Sequence, residues 1–381
     1  MTPGLRSIVL LTSLAAAAAR AEFAVAATDN KLILVDGARR VLASHAPDTF
    51  DLIDLSARPP RLVAEIPVPT SVIGPPLSLA VAPDEKLALD TSCMKVDPQD
   101  PTKQTADDRL SVIDLTTNPP RVIATLQTGL GPAGVAINRQ GTLALVANRA
   151  EGSVSIFALA GPVVTPQGKL VIGNAASALA SVAFTPDGKQ ALVSRDGDDL
   201  VTFLAVDGSR VTRTGRDLRT GLHPGARPYG LDITRDGRTA VVANDGEGTI
   251  SVIDLRGEPR VAQTLRVGPT PEGIKLSPDG TLCAVIVENN SDKAKAAPAF
   301  NDFGLLEIFR VADGRLTPAG EAHIGHWSQG VAFSTDNRVL LVCNMVEKNL
   351  QVFAWDGATL RDTGRPLVLG GGPVAVRTAD R

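Results

Sequence analysis

The sequence predicts an all-β protein: a seven-bladed β-propeller of four-stranded antiparallel blades, its ring closed by a C-terminal strand in blade one. Three observations lead there. The stretch GPAGVAINRQGTLALVANRAEGSVSIFAL (131–159) returns as GARPYGLDITRDGRTAVVANDGEGTISVIDL (225–255) and HWSQGVAFSTDNRVLLVCNMVEKNLQVFAW (326–355), and self-similarity of this kind marks a repeat architecture. Inner strands begin near Leu79, Val135, Val182, Leu231, Ile274, Val331 and Val374, spaced 43 to 57 residues apart. That is close to the roughly 40–50 residues of a four-stranded blade. Apolar residues make up 44% of the chain but aromatic ones only 3%, with 35 Gly and 27 Pro, which suits many short strands and tight turns.

Taken in order, the chain opens with an export signal over 1–21. Arg6 supplies a weak positive region, Ile8 to Ala19 an apolar core, and Ala19-Arg20-Ala21 the cleavage pattern. This twelve-residue core falls short of the roughly 20 residues a membrane span needs, and no later stretch is long enough either. The expected product is a periplasmic or secreted monomer, a single propeller over 22–381. Removal of Arg6 and Arg20 takes its net charge from −3 to −5. No basic stripe or zinc-finger spacing points to nucleic acid. Three cysteines, Cys93, Cys283 and Cys343, leave at least one thiol free, and Cys283 and Cys343 fall inside strands as small buried hydrophobes.

Each unit reads as an inner strand, a turn such as Pro186-Asp187-Gly188-Lys189, a second strand, a loop, a third strand and an amphipathic outer strand. The third strands echo one another: DLIDL (51–55), SVIDL (111–115), SIFAL (155–159) and SVIDL (251–255). Three of them lead into Pro-containing turns at Arg58-Pro59-Pro60, Asn118-Pro119-Pro120 and Gly257-Glu258-Pro259. The ends fit together: PVAVRTADR followed by EFAVAATDN reproduces an inner strand, its turn and a second strand. The C-terminal strand 373–378 is therefore expected innermost in blade one, pairing ladder edges that an open ring would leave exposed. A rival alignment makes EFAVAATDNK itself an inner strand, matching GVAFSTDNR.

Strand alternation puts the loops entering inner strands and those leaving second strands on one face, which we call upper. Three loops there are long: 29–48, 93–108 and 289–303. Loops over about 12 residues usually have a function or are disordered. Asp48, Asp108 and Asp302 recur before the third strands, either capping turns or binding. Blade five enters through His223, Arg227 and Tyr229, blade six through Glu272, and blade seven through His326, Trp327 and Gln329. These convergent polar and aromatic groups make the channel mouth the ligand-site candidate, although Trp327 and Tyr229 also suit a plug or packing between blades. The ends of second strands add Arg149, Arg195, Asp245 and Glu288. A guanidinium grips a carboxylate or phosphate with two parallel bonds, and His223, His326 and Arg227 are the catalytic candidates. Asn148, Asn244 and Asn344 suit turn chemistry. No loop concentrates enough carboxylates to assign a metal site, and no cofactor or nucleophile motif is present.

The motifs LVAN (145–148), VVAN (241–244) and LVCN (341–344), with PDG turns nearby, resemble those of YVTN-repeat seven-bladed β-propellers, broadly similar to the lactonase-like propellers. The resemblance spans the mature chain and implies the fold. For function it implies exported proteins without an assigned role or 6-phosphogluconolactonase-like enzymes, and no catalytic motif of the lactonases matches residue by residue. The sequence reading favours a non-catalytic propeller that binds a small ligand or a protein partner at the loop-rich face. The alternatives are a lactone hydrolase at the channel mouth, with His326 or His223 as base and Arg227, Arg149 or Arg195 as partners, and a redox or cofactor-linked subunit.

Overall fold

The second strand of each blade has sheet neighbours on both sides and a blade against each face, so it is buried and largely apolar. Leu143–Asn148, Thr239–Asn244, Leu282–Val287 and Val339–Asn344 are accordingly buried from end to end. Outer strands such as Arg121–Gln127 and Arg260–Arg266 have one free edge and carry exposed charged ends. In the computed structural model, which describes residues 22–73 and 76–380, these strands form seven antiparallel blades around a central channel. The export signal expected over 1–21 lies outside the described residues.

Ring closure occurs where the sequence put it. Gly372–Arg377 is the innermost strand of blade one and pairs with Phe23–Asp29, Val25 opposite Arg377 and Ala27 opposite Ala375. Thr49–Asp54 and Arg61–Pro67 complete that blade. Phe23–Asp29 is thus a second strand, and the rival alignment falls. In blade seven the outer edge is split into Leu360–Asp362 and Leu367–Val368, both pairing with Asn349–Trp355.

Five inner strands start three residues before Val135, Val182, Leu231, Ile274 and Val331, where the sequence placed them: Pro132–Ile137, Leu179–Phe184, Pro228–Ile233, Pro271–Leu276 and Ser328–Phe333. In each, the ladder slips between the first and fourth residues, a bulge that re-aims side chains at the sheet edge. Neighbouring inner strands come so close there that the third residue is Gly in four of the five. A Cβ on Gly230 would sit 2.0 Å from Glu272 O, and one on Gly273 2.1 Å from Gln329 O.

At the lower ends, Asp closes the turns. Asp187, Asp236, Asp279 and Asp336 each accept the backbone N–H two residues on, at 2.9–3.0 Å. The third strands end on Asp54, Asp114 and Asp254, which accept N–H groups from the following turn and bind Arg61, Arg121 and Arg256 or Arg260. Between blades the core is aliphatic: Val241, Ala243 and Val252 of blade five meet Ile274, Val285 and Phe309 of blade six. Cys93, Cys283 and Cys343 are all free and buried, their thiol pKa values raised by burial.

The three long segments of the upper face are built differently from one another. Residues 29–48 contain a hairpin, Leu32–Val35 with Ala38–Val41, turning at Gly37. Segment 93–108 is largely not loop: Leu87–Val96 and Gln104–Asp114 simply run on as paired strands, Met94 opposite Ala106 and Val96 opposite Gln104. Segment 289–303 is a chain of turns. The hairpin tip leans on it: Asp36 accepts the Lys295 N–H at 2.8 Å, and a Cβ on Gly37 would meet Ala294 N at 2.3 Å.

Candidate functional site

Two positions per blade set what faces the upper mouth. The first is the residue following the second strand: Arg149, Asp196, Asp245 and Glu288 in blades three to six. The backbone N–H of each bonds to the carbonyl just before the same blade's inner strand, at Gly131, Ala178, Arg227 and Thr270. Those carbonyl residues, together with Trp327, all have positive φ, from 46° to 67°, a conformation uncommon outside glycine. The second position is the next-to-first residue of the inner strand: Ala133, Ala180, Tyr229, Glu272 and Gln329. The bulge aims it inward.

Asp196 is the centre of the arrangement. It is 3% exposed and binds two arginines, Arg149 through Nη2 and Arg227 through Nε at 2.8 Å. Arg149 also donates to Ala178 O at 3.2 Å and lies over the Tyr229 ring, 5.5 Å from its centroid. Arg227 reaches on to Asp245 at 3.2 Å. Burial raises the pKa of Asp245, with Arg227 opposing. Burial also keeps the Tyr229 hydroxyl protonated, pushing its pKa well up against the pull of Arg149.

The same mouth holds buried polar groups without enough partners. Glu272 Oε2, Glu288 Oε1, Asp292 Oδ1, Gln329 Oε1 and Trp327 Nε1 are buried and make no hydrogen bond within the protein. Such groups call for a ligand, water or a proton. Burial, and then the charge of Asp245, push the Glu272 pKa up to about 8. Burial and Glu272 itself push Glu288 well above its usual range. With its pKa pushed up to about 8, Glu272 is largely a carboxylic acid at neutral pH, able to donate a hydrogen bond. Arg39 of the hairpin roofs the group, 4.7 Å above the Trp327 ring and 4.0 Å from Asp292. Among the described residues, no three His, Cys, Asp or Glu side chains are placed to hold a metal ion.

The structure thus brings together Arg149, Arg227, Tyr229, Asp245, Glu272, Glu288, Trp327 and Gln329. It separates three others. Arg195 occupies the blade position of Asn148, Asn244 and Asn344, the last residue of the second strand. Those asparagines turn back into their own blades, as Asn148 does to Ser153 and Ser155, both at 2.9 Å. Arg195 likewise turns to Asp198, Thr202 and Asp217. His326 lies in the loop layer, its ring held by Glu347 at 2.6 Å and Asp302 at 3.1 Å. The two carboxylates outweigh partial burial and raise its pKa. His223 is exposed, and its backbone N–H donates to Glu247 at 3.1 Å.

Asp48 and Asp108 also find structural partners. Asp48 pairs with buried Lys31 at 2.8 Å, and Asp108 accepts from Gln127 at 2.8 Å. Three residues of this cluster escaped the sequence reading: Asp196, Asp292 and Arg39. For Asp196 a signal existed, since aligning LVSR (192–195) on VVAN (241–244) puts Asp196, not Arg195, level with Asp245 and Arg149. For Arg39 and Asp292, which lie in segments outside the repeat, there was none.

A family model described as "Lactonase, 7-bladed beta-propeller" matches residues 111–377. No curated protein sequence matches the chain. Among solved structures, a proposed 6-phosphogluconolactonase from Bacteroides fragilis superposes with a TM-score of 0.71 at 19% identity, covering 94% of this chain and 98% of that one. The periplasmic gluconolactonase of Pseudomonas aeruginosa gives 0.70 at 19%, covering 94% and 99%. Kuenenia stuttgartiensis hydrazine synthase gives 0.61 at 16%, covering 82% and 92%. At such identities the likeness is one of fold, and the same ring serves unrelated chemistry.

Proposed function

The chain belongs to the lactonase family of seven-bladed β-propellers, and on that premise we propose that it is an exported hydrolase opening a small lactone at the upper mouth of its channel. Family membership favours this reading over the non-catalytic binding protein that the sequence alone suggested. One observation carries it: two guanidiniums, Arg149 and Arg227, are clamped on Asp196 above a buried acid, Glu272, that keeps its proton at neutral pH. The neighbours named as gluconolactonase and 6-phosphogluconolactonase point to sugar-derived lactones as substrates to try first.

In this reading the Asp245 carboxylate takes a proton from water as the water oxygen bonds to the lactone carbonyl carbon. The Glu272 carboxylic acid donates a hydrogen bond to the carbonyl oxygen, where negative charge grows. The ring C–O bond then breaks, and the departing alkoxide takes the proton held by Asp245. The new carboxylic acid gives up its remaining water-derived proton to solvent, and the carboxylate lies against Arg149 and Arg227, which also orient the substrate. A raised pKa suits both acids: Asp245 becomes a stronger base and Glu272 stays protonated.

Glucono-δ-lactone and its 6-phosphate, followed by pH-stat with the purified chain, are expected to turn over. Asp196→Asn loosens both arginines and should lower kcat/KM by about ten-fold or more, a barrier change of about 1.4 kcal/mol or above. Absence of turnover on any lactone, or full activity in both Asp196→Asn and Glu272→Gln, would remove the proposal.

A further inference from the structure

The opposite, lower mouth of the channel holds a cavity of about 340 Å³, walled by the ends of the inner strands. This volume lies at the small end of the range for ligand sites, about 300–1,000 Å³. Its charged lining is unbalanced: Arg139, Arg235, Lys275 and Arg377 against Asp232 and Asp380. The two innermost cations, Lys275 and Arg377, are 7% and 6% exposed.

Arg377 is the more telling. Its Nη1 donates to Val331 O at 3.2 Å and Val376 O at 3.0 Å, while Nη2 is buried with no partner. No carboxylate makes an ion-pair contact with this buried guanidinium, which is costly, and burial holds the Arg377 pKa below its usual value against the more distant pull of Asp232 and Asp380. Lys275 has two anions, Asp232 at 3.2 Å and Asp380 at 2.6 Å. Asp232 is built in: it accepts the Ile233 and Leu276 N–H groups, both at 2.9 Å. Asp380 is not. It lies three residues beyond the last strand, in irregular chain, with its side chain 55% exposed. Its carboxylate occupies the place that a ligand's carboxylate would take.

We infer that the lower mouth is a binding site for a small organic carboxylate, which displaces Asp380 from Lys275 and brings a second acceptor to Arg377 Nη2. The site is independent of the lactone reading, since it lies at the other end of the channel and shares no residue with Arg149, Asp196, Arg227 or Glu272. A dicarboxylate matches it best, because Lys275 and Arg377 are separate cations and the lining keeps a positive excess even with Asp380 in place.

The test is isothermal titration of the full chain with succinate, with sodium chloride at matched ionic strength as control and inorganic phosphate as competitor. Saturable succinate binding is expected. Asp380→Asn, which removes the internal competitor, should tighten it about five-fold. Lys275→Met should weaken it about ten-fold or more. Because Lys275 is buried, the exposed-side pair Arg139→Gln with Arg235→Gln is a second probe, and it should weaken succinate binding without unfolding the chain. The inference is overturned if succinate fails to bind the Asp380→Asn chain or if chloride reproduces the effect. It is equally overturned if phosphate binds more tightly than succinate, or if Arg149→Gln rather than the lower-mouth variants abolishes binding.

Discussion

Glu272 shows most plainly how burial converts an ordinary residue into a reagent. Next to a strand glycine and beneath Arg39 and Asp245, it holds its proton to about pH 8. A carboxyl with a raised folded-state pKa makes the native state bind more protons than the unfolded chain, so its contribution to stability falls as pH rises between the two pKa values. For Glu272 that window runs from 4.5 to about 8. Glu272→Gln removes the effect. Its stability relative to wild type should improve by up to about 1.4 kcal/mol per pH unit across the window, read as urea midpoints at pH 5, 6.5 and 8. A difference that stays constant with pH would show that Glu272 ionises normally. The comparison of Arg195 with Asp196 carries the same lesson at one-residue resolution. The side chain at the Asn position of the repeat folds into its own blade, and the next one faces the mouth.

At the scale of the strand, the bulged start of each inner strand is what places the site. It aims Tyr229, Glu272 and Gln329 inward, and at Gly230 and Gly273 the neighbouring strand's carbonyl occupies the space a side chain would need. Gly273→Ala should therefore cost about 1–3 kcal/mol through overpacking, a loss readable by denaturant titration. Gly161→Ala is the contrasting variant: nothing lies within 4 Å of its added Cβ, but φ is +60°, so only backbone strain applies, about 1–2 kcal/mol. If Gly273→Ala proves neutral, close approach of the inner strands does not set the geometry. The long segments differ from the repeat in kind. Segment 93–108 became paired strand because Met94, Lys95 and Val96 found partners in Ala106, Thr105 and Gln104, a register invisible in a polar, Pro-bearing stretch. The 32–41 hairpin instead supplied Arg39 as a roof.

Across the whole molecule, stability depends on closing the ring. Gly372–Arg377 contributes six fully buried residues, and without it Phe23–Asp29 and Ser328–Phe333 would both lose a neighbour. A chain ending at Leu369 should unfold at least about 10 °C lower and with reduced cooperativity, followed by circular dichroism. Unchanged melting would mean that the ring tolerates an open seam. The same closure gives one channel two unlike mouths, with the proton-holding Glu272 at the upper end and the cationic cavity at the lower.

The fold was legible because strand, turn and period are local. Apolar runs, PDG turns and the LVAN, VVAN and LVCN echoes recur from blade to blade, so each blade predicts the next, and the leftover strand at the C-terminus fitted best beside 22–30, with the structure removing the rival alignment. The upper face and eight of its residues were legible for the same reason, because alternation assigns each loop to a face. What the sequence left open is which side chains meet. Arg149, Asp196 and Arg227 come from separate blades, and Lys275 meets Asp380 across 105 residues. In a strand, one step along the chain reverses a side chain's direction, so only the closed ring, with its bulges in register, decided that Asp196 clamps two arginines while Arg195 turns away.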